Sequence, residues 1–458
     1  MRYVLYLPLF LFLSLSLKPN LCFAQGEPPA FDTRITAIAN APNAARIETD
    51  IQKLVGFGTR HTLSDTVSTS RGIGAARRWI RAEFNRISAD CGGCLEVYEQ
   101  RTLVPSEGNR RIDTPSVVVN VYAVLRGTKR PNHYVIMSGD IDSRISDPMN
   151  RTDDSPGAND NASGMAGVLE AARVLSNYRF DNSILLAGLS GEEQGLFGGK
   201  ALAEKAKQEG WNIIGILNND MIGNIHGIDG VIDNRTFRIF SEPNFQDADE
   251  RLRTWRRYYG GEVDGFSRQL ARYVHRITQQ YMPQMNPMMI YRLDRFGRGG
   301  HHKPFNDAGF AGVRIMEAHE QYDRQHQDIR IEDGISYGDV IEWVDFDYAA
   351  KLTGVNAATL ASLAWAPPVL QRVDIGGTVE PAARLEWTPN TNNDVFGYKI
   401  YYRLTTESQW TNFVWVPAGT TSHTMTGLVV DNYNFGVAAV SSLGHESLVV
   451  FPSVVLRK

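Results

Sequence analysis

Residues 183–208 read SILLAGLSGEEQGLFGGKALAEKAKQ. Ser183–Leu189 is a short, mostly apolar run, the pattern of a buried strand. Lys200–Gln208 spaces its apolar residues along one face of a helix. Between them Gly191-Glu192-Glu193-Gln194-Gly195 places two adjacent acids where the chain must turn. A strand, a charged turn and an amphipathic helix make up the repeating unit of an α/β fold.

Outward from this unit the alternation continues. Val117–Leu125, Tyr134–Met137 and Ile213–Leu217 read as buried strands, and Ala162–Leu175 and Phe266–Tyr281 have helical spacing. The expected fold over residues 25–366 is a three-layer αβα sandwich around a mostly parallel mixed sheet, with chemistry in the loops at strand ends. A last helix, Phe346–Leu363, ends at Ala366-Pro367-Pro368, and beyond Val369 the apolar period becomes two. Ala383–Trp387, Val395–Tyr402, Thr411–Val416, His423–Leu428, Tyr433–Val440 and Glu446–Phe451 read as short strands. That density predicts a small all-β, immunoglobulin-like sandwich over 369–458, with Trp387, Tyr398 and Tyr433 in its core and corners.

The chain starts Met1-Arg2, runs apolar from Tyr3 to Leu17, and reaches small residues near Ala24. This is the plan of a secretory signal peptide over 1–24, so a secreted or periplasmic protein without a transmembrane anchor after processing is expected. The net charge of −4 and the scattered basic residues give no footprint for nucleic acid. Beyond the leader only Cys91 and Cys94 remain, in Cys91-Gly92-Gly93-Cys94, and in an oxidising compartment they read as a local disulfide that pins a turn.

Five segments concentrate carboxylates and histidines. Asp140-Ile141-Asp142 follows an apolar strand, and on extended chain the two acids share a face; Asp-x-Asp also occurs in ordinary turns. Asp160 stands at the mouth of a helix, as a metal ligand or as a cap. Adjacent side chains diverge, so of Glu192 and Glu193 one can bind a metal while the other reaches water, the division a hydrolytic metal site needs. Asp220 ends a further apolar strand, where an acid must be exposed or paired. His301, His302 and His326 complete the set, with Arg144, Arg295, Arg298 and Tyr322 beside the motifs as braces or substrate contacts.

In order and spacing these segments resemble peptidase family M28, the zinc aminopeptidases and related exopeptidases, over roughly residues 110–350. The resemblance implies a peptide substrate and two divalent ions, zinc by family habit. Asp160 would bridge them, with Glu193 and His326 on one ion and Asp140 and Asp220 on the other. It also implies Glu192 as general base, Asp142 as a supporting acid, and His302, His301, Tyr322 and Arg144 around the pocket. Two departures stand out: Asp140 occupies a position where the family usually has His, and His301 one where it commonly has Asp. An oxygen-rich second site favours harder ions, so manganese or cobalt is expected there beside zinc. Without Asp140 as a ligand, Asp160, Glu193 and His326 would form a single-zinc site like that of the glutaminyl cyclases of the same fold, and a non-catalytic peptide-binding protein is the remaining alternative. The C-terminal strands resemble a fibronectin type III module through Trp387, Tyr398 and Asn432-Tyr433-Asn434-Phe435-Gly436, a scaffold that implies no activity and leaves open contact with substrate, with a cell surface or with the catalytic domain alone.

Overall fold

The computed structural model describes residues 26–243, 250–260, 264–390 and 394–456, so the leader expected over 1–24 lies outside the described residues. One sheet is built from β1 (Leu95–Val104), β2 (Ser116–Leu125), β3 (Arg130–Asp140), β4 (Asn182–Leu189), β5 (Asn212–Asn219), β6 (Thr236–Ser241), β7 (Asn286–Ile290) and β8 (Gly312–Glu317). Their spatial order is β1-β2-β4-β3-β5-β8-β6-β7. The centre, β4-β3-β5-β8, is parallel; β1-β2, β2-β4 and β6-β8 pair antiparallel, and β7 runs parallel to β6. The mostly parallel mixed sheet expected from the sequence is therefore present. Apolar runs do not single out β1, because as an edge strand it alternates exposed and half-buried residues and includes several charges.

Each central strand sends alternate side chains into two cores. Val135, Met137, Ile184 and Leu186 join the larger core, beneath the helices Ala44–Val55, Gly72–Asp90, Gly164–Leu175, Phe266–Tyr281 and Phe346–Trp365. Tyr134, Ile136, Leu185, Ala187 and Leu189 face the other way, against Leu202, Ala203 and Ala206 of the helix Phe197–Gln208 and against Phe305. Phe346–Trp365 is buried around nearly its whole circumference, so its polar residues must be satisfied inside. Thr353 and Thr359 donate to carbonyls one turn back, and the Asn356 and Asn219 amides bond reciprocally at 2.7 and 3.1 Å. That pair fixes the end of β5, immediately before Asp220.

Cys91 and Cys94 form the expected disulfide where the helix Gly72–Asp90 turns into β1. Among the described residues no helix is long and apolar enough to cross a membrane.

The C-terminal sandwich has a four-stranded sheet, containing Val373–Gly376 and Ala382–Trp387, against a three-stranded sheet of Gly397–Leu404, Asn412–Pro417 and Tyr433–Val440. Trp387 and Tyr398 are core residues, and Tyr433 packs half-buried on the same core. Glu446–Phe451, expected as a strand, makes only isolated bridges through Glu446 and Val450. Glu446 turns instead into the seam with the larger domain, where Arg276 pairs with it at 3.0 Å and Tyr401 Oη donates to it at 2.6 Å. Asp264 anchors a second polar joint, 2.5 Å from Arg272 and 2.7 Å from Arg403, all three buried. Buried charges at a seam must be paired, so these contacts fix how the two parts dock.

Candidate metal centre

The acids gather at the carboxyl ends of the parallel strands. β3 lies between β4 and β5, where successive connections leave in opposite directions, and a crevice opens at such a point. Asp140 is the last residue of β3, Glu192 and Glu193 follow β4, and Asp220 follows β5. At Gly139 a Cβ would lie 2.6 Å from the Gly164 backbone, so only glycine lets the helix Gly164–Leu175 start against the end of β3. Asp160 sits in the irregular turn just before that helix. The capping role open to Asp160 falls to its neighbour, since Asn161 Oδ1 accepts the Gly164 N–H at 3.0 Å. His326 comes from the loop after β8 with φ +57°, an uncommon conformation for a residue with a side chain.

Three side chains converge. His326 Nε2 is 2.9 Å from both Asp160 Oδ2 and Glu193 Oε1, and these ligand atoms form a group within 4.8 Å of one another. Among the described residues this is the one such group. Two carboxylates and an imidazole on one point are a donor set that suits zinc.

The surroundings aim these ligands. Asp142 accepts the Glu192 N–H at 3.2 Å, the Glu193 N–H at 3.1 Å and the Thr62 hydroxyl at 2.8 Å, so it fixes the backbone that carries both glutamates. Arg144 donates to Glu193 Oε2 at 2.7 Å and lies 2.6 Å from His326 Nδ1. Asp339 accepts the N–H groups of Asn159 and Asp160, and Gln325 donates to Asp160 Oδ2 at 3.1 Å. Arg60, buried, binds the carbonyls of Leu54, Ile141, Pro156 and Gly157, lacing together the loops that hold Asp142 and Asp160. Asp339, Gln325, Arg60 and Thr62 escaped the sequence reading; a lone buried Arg or Asp in a loop has no periodic signature.

Crowded acids shift one another. Burial raises the Asp160 and Glu193 carboxyls, but the His326 charge outweighs it and holds both below the usual range. The same pairing, against burial, pushes His326 up to about 9. At Glu192 the balance goes the other way: burial, then the Glu193 and Asp220 charges, raise it well above an ordinary glutamate. Burial and Glu193 push Asp142 up to about 6.

The remaining predicted residues lie outside the converging group. Asp140 accepts from Asn161 Nδ2 at 2.6 Å and faces His301 Nε2 at 3.5 Å. Asp220 pairs with Arg314 at 2.8 Å. His302 binds the Leu293 carbonyl at 2.8 Å and braces that loop, while Tyr322 is 56% exposed with its ring in solvent.

An αβα sheet with a carboxylate–histidine cluster at its switch point and a further glutamate beside it is an arrangement suited to metal-dependent hydrolysis. The model of peptidase family M28 matches residues 120–343. A probable zinc metalloprotease of Leptosphaeria maculans is 42% identical over 427 residues, covering 93% of this chain and 98% of that protein. The chain belongs to peptidase family M28. In fold it is similar to the LapA aminopeptidase of Legionella pneumophila, with a TM-score of 0.51 at 14% identity over 74% of this chain and 77% of that one. It is equally similar to the glutaminyl cyclase of Macrostomum lignano, with a TM-score of 0.50 at 13% identity over 73% and 94%.

Proposed function

We propose that this chain is an exported exopeptidase that removes N-terminal residues from peptides, with Asp160, Glu193 and His326 holding a zinc ion and Glu192 as general base. The observation that carries the reading is Glu192 itself, next in sequence to a ligand but outside the ligand cluster, with its carboxyl raised by burial and then by the neighbouring acids. A divalent ion at this cluster supplies Lewis-acid polarisation of a carbonyl and an acidified water. Glu192 takes the proton from the attacking water and delivers it to the leaving amine; a raised carboxyl suits both halves of that transfer near neutral pH. Asp142 keeps the two glutamates diverging, and Arg144 holds Glu193 on its ligand face. The family and the named relative support a peptide substrate and zinc, and the apolar leader supports export.

The experiment is hydrolysis of matched peptides with free and acetylated N-termini by the wild type and by Glu192→Gln. Cleavage confined to free N-termini and lost in the variant is expected; equal cleavage of both substrates would remove the aminopeptidase reading.

A second reading rests on the single converging group, which suits a one-zinc glutaminyl cyclase. It predicts ammonia release from an N-terminal glutamine peptide with no shortening of the chain, which mass spectrometry separates from hydrolysis.

A further inference from the structure

The family resemblance implies a second ion between Asp140 and Asp220, and the residues present do not fit one. Arg314 interrupts the apolar strand β8 and is fully buried, with its Nη2 2.8 Å from Asp220 Oδ2. Its Nη1 donates to both Asp294 oxygens, at 3.0 and 3.1 Å, and to the Gly299 carbonyl at 3.1 Å. A guanidinium cannot be deprotonated in a protein, so this is a permanent positive charge on the carboxylate that would ligate the ion.

Asp140 is equally unsuited. Its Oδ2 accepts from Asn161, and its Oδ1 faces His301 Nε2. The Gly199 N–H donates to His301 Nδ1 at 3.1 Å, which leaves the ring proton on Nε2. His301 therefore turns a hydrogen toward Asp140, and no lone pair toward a cation. Asp140 Oδ1, Asp220 Oδ1, His301 Nε2 and Arg314 Nη2 do lack hydrogen bonds, the feature that favours an ion, so Arg314 meets Asp220 as an ion pair by charge and distance. Against it stand the fixed charge of Arg314, the orientation of His301, and the absence of a third ligand converging with these two acids among the described residues.

We infer that the buried guanidinium of Arg314 neutralises Asp220 in place of a second metal ion, so that the centre binds one divalent ion per chain. The inference rests on the metallopeptidase reading, in which Asp160, Glu193 and His326 hold that ion. The neutral His301 ring then faces Asp140 Oδ1 at 3.5 Å without adding a cationic charge beside it.

The test is metal content of the full chain after equilibration with excess zinc and, separately, manganese, followed by gel filtration, elemental mass spectrometry and native mass spectrometry. One ion per chain is expected; two would overturn the inference and leave the metallopeptidase reading standing, whereas none would overturn both. In Asp220→Asn the count is expected to stay at one, with zinc affinity within about threefold of wild type by chelator competition. Loss of the bound ion from that variant, with its melting profile still cooperative, would make Asp220 a ligand and overturn the inference.

Discussion

The Asp339 carboxylate accepts the main-chain N–H of Asp160 at 2.7 Å, across 179 residues of sequence. It also takes the Asn159 N–H at 2.8 Å, so one buried acid sets the turn from which Asp160 reaches the centre. Replacing Asp339 by Ala strands the buried Asp160 N–H, at about 1–3 kcal/mol, together with the half-buried Asn159 N–H. Zinc affinity is expected to fall about 10–100-fold, the usual effect of losing a group that orients a ligand. Chelator competition on Asp339→Ala and Asp339→Asn checks it, and unchanged affinity in both would show that Asp160 holds its position without this contact.

Glu192 and Glu193 are adjacent in sequence but are expected to fail differently. Glu192→Gln keeps the ion and loses about 10²–10⁴-fold in kcat, because a proton carrier is gone. Glu193→Gln loses the ion itself, since a ligand and the Arg144 partner go together. Parallel kinetics and elemental analysis of the two variants distinguish the roles; equal metal loss in both would refute the division.

His326 makes metal affinity depend on pH. Its ring is pushed up to about 9 by Glu193 and Asp160, so below that pH a proton must leave before Nε2 can ligate. Apparent zinc affinity should rise by about tenfold per pH unit as pH climbs toward 9 and level off beyond it. In the metal-free protein the sign reverses. The folded value lies above the unfolded one of about 6.5, so the stabilisation is complete below pH 6.5 and is lost as pH rises through about 9. Calorimetric titration of zinc at several pH values, with melting curves of the metal-free chain, measures both slopes.

The two domains should unfold as one unit. Asp264→Ala leaves the buried Arg272 and Arg403 guanidiniums without their shared acid, at a cost of about 3–5 kcal/mol. A single urea transition at lower midpoint is expected; two separated transitions in the wild type would mean that the sandwich is only tethered.

Much of this was legible in the sequence because the signals are local. The short apolar runs marked the central strands, and the change of period after Pro367-Pro368 marked the sandwich. Glu192-Glu193 stood out because adjacent side chains on a turn after a buried strand diverge, so that one can bind a metal while the other reaches water. Asp339, Gln325 and Arg60 had no local signal; each acts on a turn brought near by other parts of the chain. Arg314 did carry a signal, a positive charge inside the otherwise apolar run of β8 ahead of Glu317, which must be paired if buried.

By itself the sequence determined the α/β architecture, the sandwich behind it, the family and the identity of the acids and histidines, because apolar period and motif order are properties of the chain read along its length. Only the tertiary structure decided which of those residues meet. Asp160, Glu193 and His326 come from three separate loops and converge within 4.8 Å, whereas Asp140 and Asp220, equally prominent as motifs, lie outside that group, beside Asn161, His301 and Arg314. A ligand set is a matter of distance and of competing hydrogen-bond partners, and both are fixed only when the sheet brings its strand ends together.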